Sequence, residues 1–96
     1  MKVKILEAAQ RDLIEGHRFY ERQSAGLGDY FLDSVLADIE SLQFYARIHV
    51  LHFGYHRLLA GRFPFAVYYR VENDLVRVYA VLDCRRDPAW IRDRLT

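Results

Sequence analysis

Near Arg47 the apolar pattern changes period, and that change limits the chain to one class of fold. Before it, apolar side chains recur at helical spacing; after it, they alternate. Helices followed by strands give an α+β domain, with the helices packed on a sheet. Val3 to Leu6 precedes the helices as a short apolar strand. Ala9, Leu13, His17 and Tyr20 mark one face of a first helix from about Glu7 to Gln23. The SAGLG stretch from Ser24 to Gly28 breaks that helix with two glycines. Phe31, Val35, Ile39, Leu42 and Ala46 then mark a second helix. Two helices joined by so short a loop form an antiparallel hairpin.

The alternating half holds three strands. Tyr55–Ala60 is aromatic and apolar. Phe63, Phe65, Val67, Tyr69 and Val71 alternate against Pro64, Ala66, Tyr68 and Arg70. Val76, Val78, Ala80 and Leu82 alternate against Arg77, Tyr79, Val81 and Asp83, and Glu72-Asn73-Asp74 between the two runs is turn chemistry. Asp87-Pro88 opens a last helix, with Asp as cap and Pro in the first turn, and Trp90 and Ile91 are expected to dock it on the sheet. The expected order is β-α-α-β-β-β-α: a helical hairpin packed on a small antiparallel sheet, one domain over residues 1–96. The face away from the hairpin then carries Arg57, Arg77 and Tyr79, and a one-residue slip of register would reverse that assignment.

Composition narrows the setting. At 52% apolar and 15% aromatic the chain is too apolar for a disordered tail. One cysteine excludes an internal disulfide framework and fits a reducing compartment. With no leader-like or membrane-length apolar run, a cytoplasmic protein without membrane contact is expected. The net charge of +1 hides an asymmetry. Residues 1–46 hold five basic and eight acidic side chains, net −3. Residues 47–96 hold nine arginines and five acids, net +4. Arginine presents a planar fork to carboxylate or phosphate, so an anionic partner is sought in the second half.

Candidate residues there each admit two readings. Arg85-Arg86 ends the last strand just before a helix start, where backbone amides add to an anion site; equally, Asp83 or Asp87 can neutralise the pair. Arg57 and Arg62 flank the neighbouring strand and would converge with Arg86 if the strands pair in order. Tyr55, Tyr68, Tyr69 and Tyr79 are an RNA-stacking set or ordinary sheet packing. His49, His52 and His56 share no face across Gly54, so no metal site is expected, though a lone histidine suits acid–base work. Cys84 is a nucleophile activated by arginine or a small core thiol. No Ser-His-Asp grouping and no glycine-rich phosphate loop occurs, and no cofactor is expected.

Three segments carry a resemblance: AAQRDLIEGHRFYERQSAGLGDYFLDSVLADIESL, GYHRLLAGRFPFAVYYRV and VYAVLDCRRDPAWIRDRL. Together, in this order, they resemble the RelE/ParE superfamily of type II toxin–antitoxin toxins over nearly the whole chain. The resemblance implies a helical hairpin on an antiparallel sheet, a cytoplasmic toxin linked to plasmid stabilization and growth inhibition, and a cognate antitoxin that alone brings operator DNA into the complex. One branch cleaves mRNA on the ribosome with clustered basic residues; the other binds DNA gyrase. The nuclease pattern is matched at Arg86 but not at Ala66, where that branch places arginine. The strand before it has Arg57 and no lysine, and no tyrosine follows Tyr79. The ParE-like, gyrase-directed reading is therefore favoured. In the nuclease reading Arg57, Arg62 and Arg86 would stabilise the phosphate and His56 would act as base. A third reading is an inactive relic that only binds antitoxin. Residues expected to meet a partner are Arg85, Arg86, Tyr20, Tyr69 and Trp90.

Overall fold

The computed structural model describes every residue from Met1 to Thr96. Helices α1 (Glu7–Gln23) and α2 (Leu27–Glu40) form the expected hairpin. Two glycines set their closeness. A Cβ at Gly16 would lie 2.6 Å from the Phe31 ring, and one at Gly28 would lie 2.6 Å from the His17 carbonyl oxygen. Glu21 secures the loop: its carboxylate accepts from the Gly26 and Gly28 N–H groups at 2.9 Å each. At Gly28 that carboxylate satisfies a first-turn amide that an N-cap side chain would otherwise take, the N-cap being Gly26.

The second helical stripe does not run unbroken to Ala46. The Ser41 hydroxyl donates to the Asp38 carbonyl at 2.6 Å, and the chain restarts as a single turn, α3 (Leu42–Tyr45). A hydroxyl bonding back to the preceding turn bends a helix. Leu42 and Ala46 stay buried across the break.

Five strands follow the order β1-β5-β4-β3-β2, where β1 is Lys2–Ile5, β2 Leu51–His52, β3 Tyr55–Leu59, β4 Phe65–Glu72 and β5 Leu75–Asp83. Strands β2 to β5 form the antiparallel meander; β1 adds one parallel edge beside β5. β2 lies outside the three-strand expectation. Phe53 and Gly54, both at positive φ, fold it back on Tyr55 and His56. Asn73 and Asp74, also at positive φ, make the tight turn between β4 and β5.

The two sheet faces bury different sets. Phe65, Val67, Tyr69, Val76 and Val78 pack under the hairpin with Ala9, Leu13, Phe31, Val35 and Ile39. Tyr55, Ala66, Tyr68, Ala80 and Leu82 pack under α4 (Pro88–Leu95) through Ile91 and Leu95. The simple alternation of β5 is corrected by a bulge. Tyr68 pairs with Ala80 but Tyr69 pairs with Val78, so Tyr79 is extra. One extra residue swaps the faces beyond it. Val81 therefore turns under the hairpin, while Ala80 and Leu82 turn under α4.

The start of α4 is as expected: the Asp87 carboxylate accepts from the Ala89 N–H at 2.8 Å. Its docking differs. Ile91 and Leu95, four residues apart, share the buried side, and Trp90 stays 37% exposed. One polar tie joins three elements. β1 ends opposite Val78, leaving the outer edge of β5 open beyond it. Asp12 of α1 accepts there from the Val81 N–H at 3.0 Å, and Arg94 of α4 donates to both oxygens of the same carboxylate.

Candidate functional site

Above the Asp12 tie, α1, the end of β5 and the start of α4 enclose a groove of about 510 Å³. Its apolar lining is Gly16, Phe65, Val81 and Leu82, with Phe19 and Trp90 beside them. Arg18 and Arg22, one turn apart on α1, line it together with Arg86. Helical spacing of four places the two α1 arginines on one side. The Arg86 guanidinium lies over the Trp90 ring, 4.0 Å from its centroid, a cation–π contact that presents charge and ring together.

The acids around the groove are mostly engaged. Asp12 is held by Arg94. Asp83 is held by its neighbour Arg85, whose Nε and Nη2 donate at 3.0 and 2.7 Å. That guanidinium keeps the Asp83 carboxyl below the usual carboxylate range. Arg18, Arg22 and Arg86 form no ion pair, so Glu15 is the one lining acid left without a basic partner. The groove thus offers three free guanidinium groups beside two aromatic rings. It suits an anionic segment with apolar side chains.

The opening arginine pair is divided by this geometry. Arg85 forms a local ion pair and approaches the Tyr20 hydroxyl, whose pKa is raised by burial and lowered in part by that guanidinium. Arg86 faces the groove. Two other residues expected to meet a partner are core residues instead. Tyr20 packs against Phe63 and Phe31 with centroids 4.8 and 5.1 Å away, and is 7% exposed. Tyr69 is fully buried, and its hydroxyl donates to the Ala46 carbonyl at 2.5 Å. Burial pushes its pKa up to about 12. Both point under the hairpin, Tyr69 because it keeps the phase of Phe65 and Val67.

The residues named for a nuclease do not meet. His56 faces the hairpin, stacked on Tyr69 at 5.2 Å, with its Nδ1 on the His49 carbonyl at 2.7 Å. That bond places the proton on Nδ1, as donor to the carbonyl. Arg57, the next residue, turns to the other face beside Tyr68 and Cys84. Its Nε is buried without a partner. Arg62 donates to the Tyr30 hydroxyl at 2.7 Å, at the start of α2. Arg86 stands in the groove. Cys84 is exposed rather than a core thiol, yet desolvation raises its pKa, the wrong direction for an activated nucleophile. No group of three His, Cys, Asp or Glu side chains stands where it would hold a metal ion. No helix is long and apolar enough to cross a membrane.

Sequence reading reached Arg86 and Trp90 but missed Arg18, Arg22 and Phe19. The available signal was an aromatic between two arginines on the polar side of α1. The Asp12–Arg94 tie spans 82 positions and had no local signal.

No family model matches this sequence. No curated protein matches it either. Among solved structures, a chain of the chromosomal ParDE TA system from P. aeruginosa is similar, with a TM-score of 0.71 at 18% identity. The alignment covers 84% of this chain and 92% of that one. At that identity the likeness is one of fold.

Proposed function

We propose that this chain is the toxin of a toxin–antitoxin pair, acting by binding rather than by catalysis. An antitoxin segment of acidic, amphipathic character occupies the groove between α1, β5 and α4, and DNA gyrase is the target. The fold shared with a chain of a ParDE TA system supports the toxin class. The observation that carries the choice of binding over cleavage is the scatter of the candidate catalytic set. His56 and Arg57 lie on opposite faces of β3, Arg62 is held by Tyr30, and Arg86 lies over Trp90. In-flight phosphate stabilisation needs preorganised donors aimed at one point. These four side chains provide none. The groove supplies what protein recognition uses instead: free arginines for carboxylates and aromatic anchors beside them.

Brief induction of this protein alone in a bacterial host tests the reading. Growth arrest, relaxed plasmid DNA and intact mRNA are expected. New translation-dependent cuts within coding frames would make it a ribosome-dependent endoribonuclease. Unchanged growth at high expression would leave only an antitoxin-binding relic.

A further inference from the structure

The chain from Arg47 to His52, between α3 and β3, has no buried residue, so no apolar side chain anchors it to the core. Its carbonyls fasten it instead. His56 Nδ1 donates to the His49 carbonyl at 2.7 Å, and the Arg57 N–H donates to the Val50 carbonyl at 2.9 Å. At one end Ala46 is fixed, being buried and bonded through its carbonyl to the Tyr69 hydroxyl. At the other end Phe53 and Gly54, both at positive φ, turn the chain back into β3. A segment held by a few hydrogen bonds with little burial behind them opens at low free energy.

Two imidazoles sit within this fastening. His56 stacks on the Tyr69 ring at 5.2 Å, and His49 meets the same ring edge-on at 6.2 Å. A charge on His56 leaves Nδ1 a donor and lays a cation on a ring face, so the bond to the His49 carbonyl survives it. A charge on His49 has no such support. From β3 it faces His56 and Arg57, the latter lining the same groove. From β4 it faces the uncharged Tyr69. α3 carries no charged side chain, and Tyr45 is its titratable group. Within the segment, Arg47 takes Asp74 of the β4–β5 turn at 3.6 Å. His52 lies on the other face, across from Tyr55. No carboxylate forms an ion pair with His49 or His56. Burial, and then the His56 charge, hold the His49 imidazole below its ordinary range.

We infer that Arg47 to His52 forms an acid-operated latch: with His49 neutral it closes over Tyr69, and a proton on His49 releases it while the hairpin and the long strands stay folded. An imidazole that is harder to protonate in the closed segment than in the free one favours closure at high pH. Closure is complete above about pH 6.5, the free imidazole value, and weakens as pH falls below it. The device is independent of what the α1–β5–α4 groove binds.

Hydrogen exchange of the full chain at pH 7.5 and 5.0, followed by NMR and corrected for the intrinsic rate at each pH, is the test. Protection of the Arg57 amide, which reports the bond to Val50, should fall at least threefold at the lower pH. It should stay at least tenfold below that of the Val35 amide at both, because release is local. Far-UV circular dichroism should be the same at both. His49→Gln, or His49→Phe where that variant does not fold, should hold Arg57 protection within twofold across the range. Unchanged Arg57 protection in the parent chain, an equal fall in the variant, or equal protection at Arg57 and Val35 would each overturn the inference.

Discussion

The two faces of one sheet are built to different depths. Under the hairpin, α1 and α2 bring Leu13, Phe31, Val35 and Ile39 onto β4 and β5, and Phe63 and Phe65 join Tyr20 and Phe31 in an aromatic cluster. Under α4, an eight-residue helix covers Tyr68, Ala80 and Leu82 with Ile91 and Leu95. A thick layer resists local opening because its side chains have neighbours on all sides; a thin one opens at lower free energy. Stability is therefore concentrated under the hairpin. Exposed apolar side chains lie where cover runs out, at the α1–α4 seam and beside the far edge of β3.

Truncation on each face tests this contrast most directly. Phe31→Ala leaves a cavity among rings that Gly16 holds close, and is expected to cost about 4 kcal/mol. Ile91→Ala is expected to cost about 2 kcal/mol, because α4 has room to settle onto the smaller side chain. Urea denaturation followed by circular dichroism gives both values. Equal losses would mean the α4 face is as firmly packed as the other. If Phe31→Ala does not fold, Phe31→Leu against Ile91→Val makes the same comparison at smaller scale.

The seam between the faces comes next. Asp12 joins the β5 edge to Arg94, and the carboxylate is only 11% exposed. Asp12→Asn keeps the shape and removes the charge, so about 1.5 kcal/mol should be lost. The loss should be local. Amide exchange should speed at Val81 and through α4, while Val67 and Val35 keep their protection. Uniform acceleration across the chain would show that the tie supports the whole fold rather than the thin face.

These differences trace what the sequence could carry. The change of period at Arg47 revealed the hairpin and the three long strands, because helix and strand spacing are local properties. Asp87-Pro88 revealed the start of α4 for the same reason. The bulge at Tyr79 left no local mark, since one extra residue preserves an alternating look while exchanging the faces of Ala80 and Leu82. The parallel seat of β1 against β5 depends on contacts more than 70 positions apart. The split at Ser41 depends on a rotamer choice that serine leaves open. At the candidate site, Arg86 was legible as a charged residue at a strand end. Its companions Arg18 and Arg22 carry no mark in the apolar spacing of α1 beyond lying off its buried stripe, because which side of α1 meets the end of β5 is set by tertiary packing.

The smallest expected effect on stability is also the most telling for function. Arg86 makes no ion pair, and its guanidinium rests on an exposed ring. Arg86→Ala should shift unfolding by no more than about 0.5 kcal/mol, as for surface positions without buried partners. Co-expression with the proposed antitoxin, followed by affinity capture, should nonetheless recover markedly less complex than the parent chain. Arg85→Ala should do the reverse. It frees Asp83 from its partner and costs more stability, yet leaves capture nearly intact, because that guanidinium is already engaged within the chain. Equal capture by both variants would remove Arg86 from the recognition surface and return the two adjacent arginines to a single structural role.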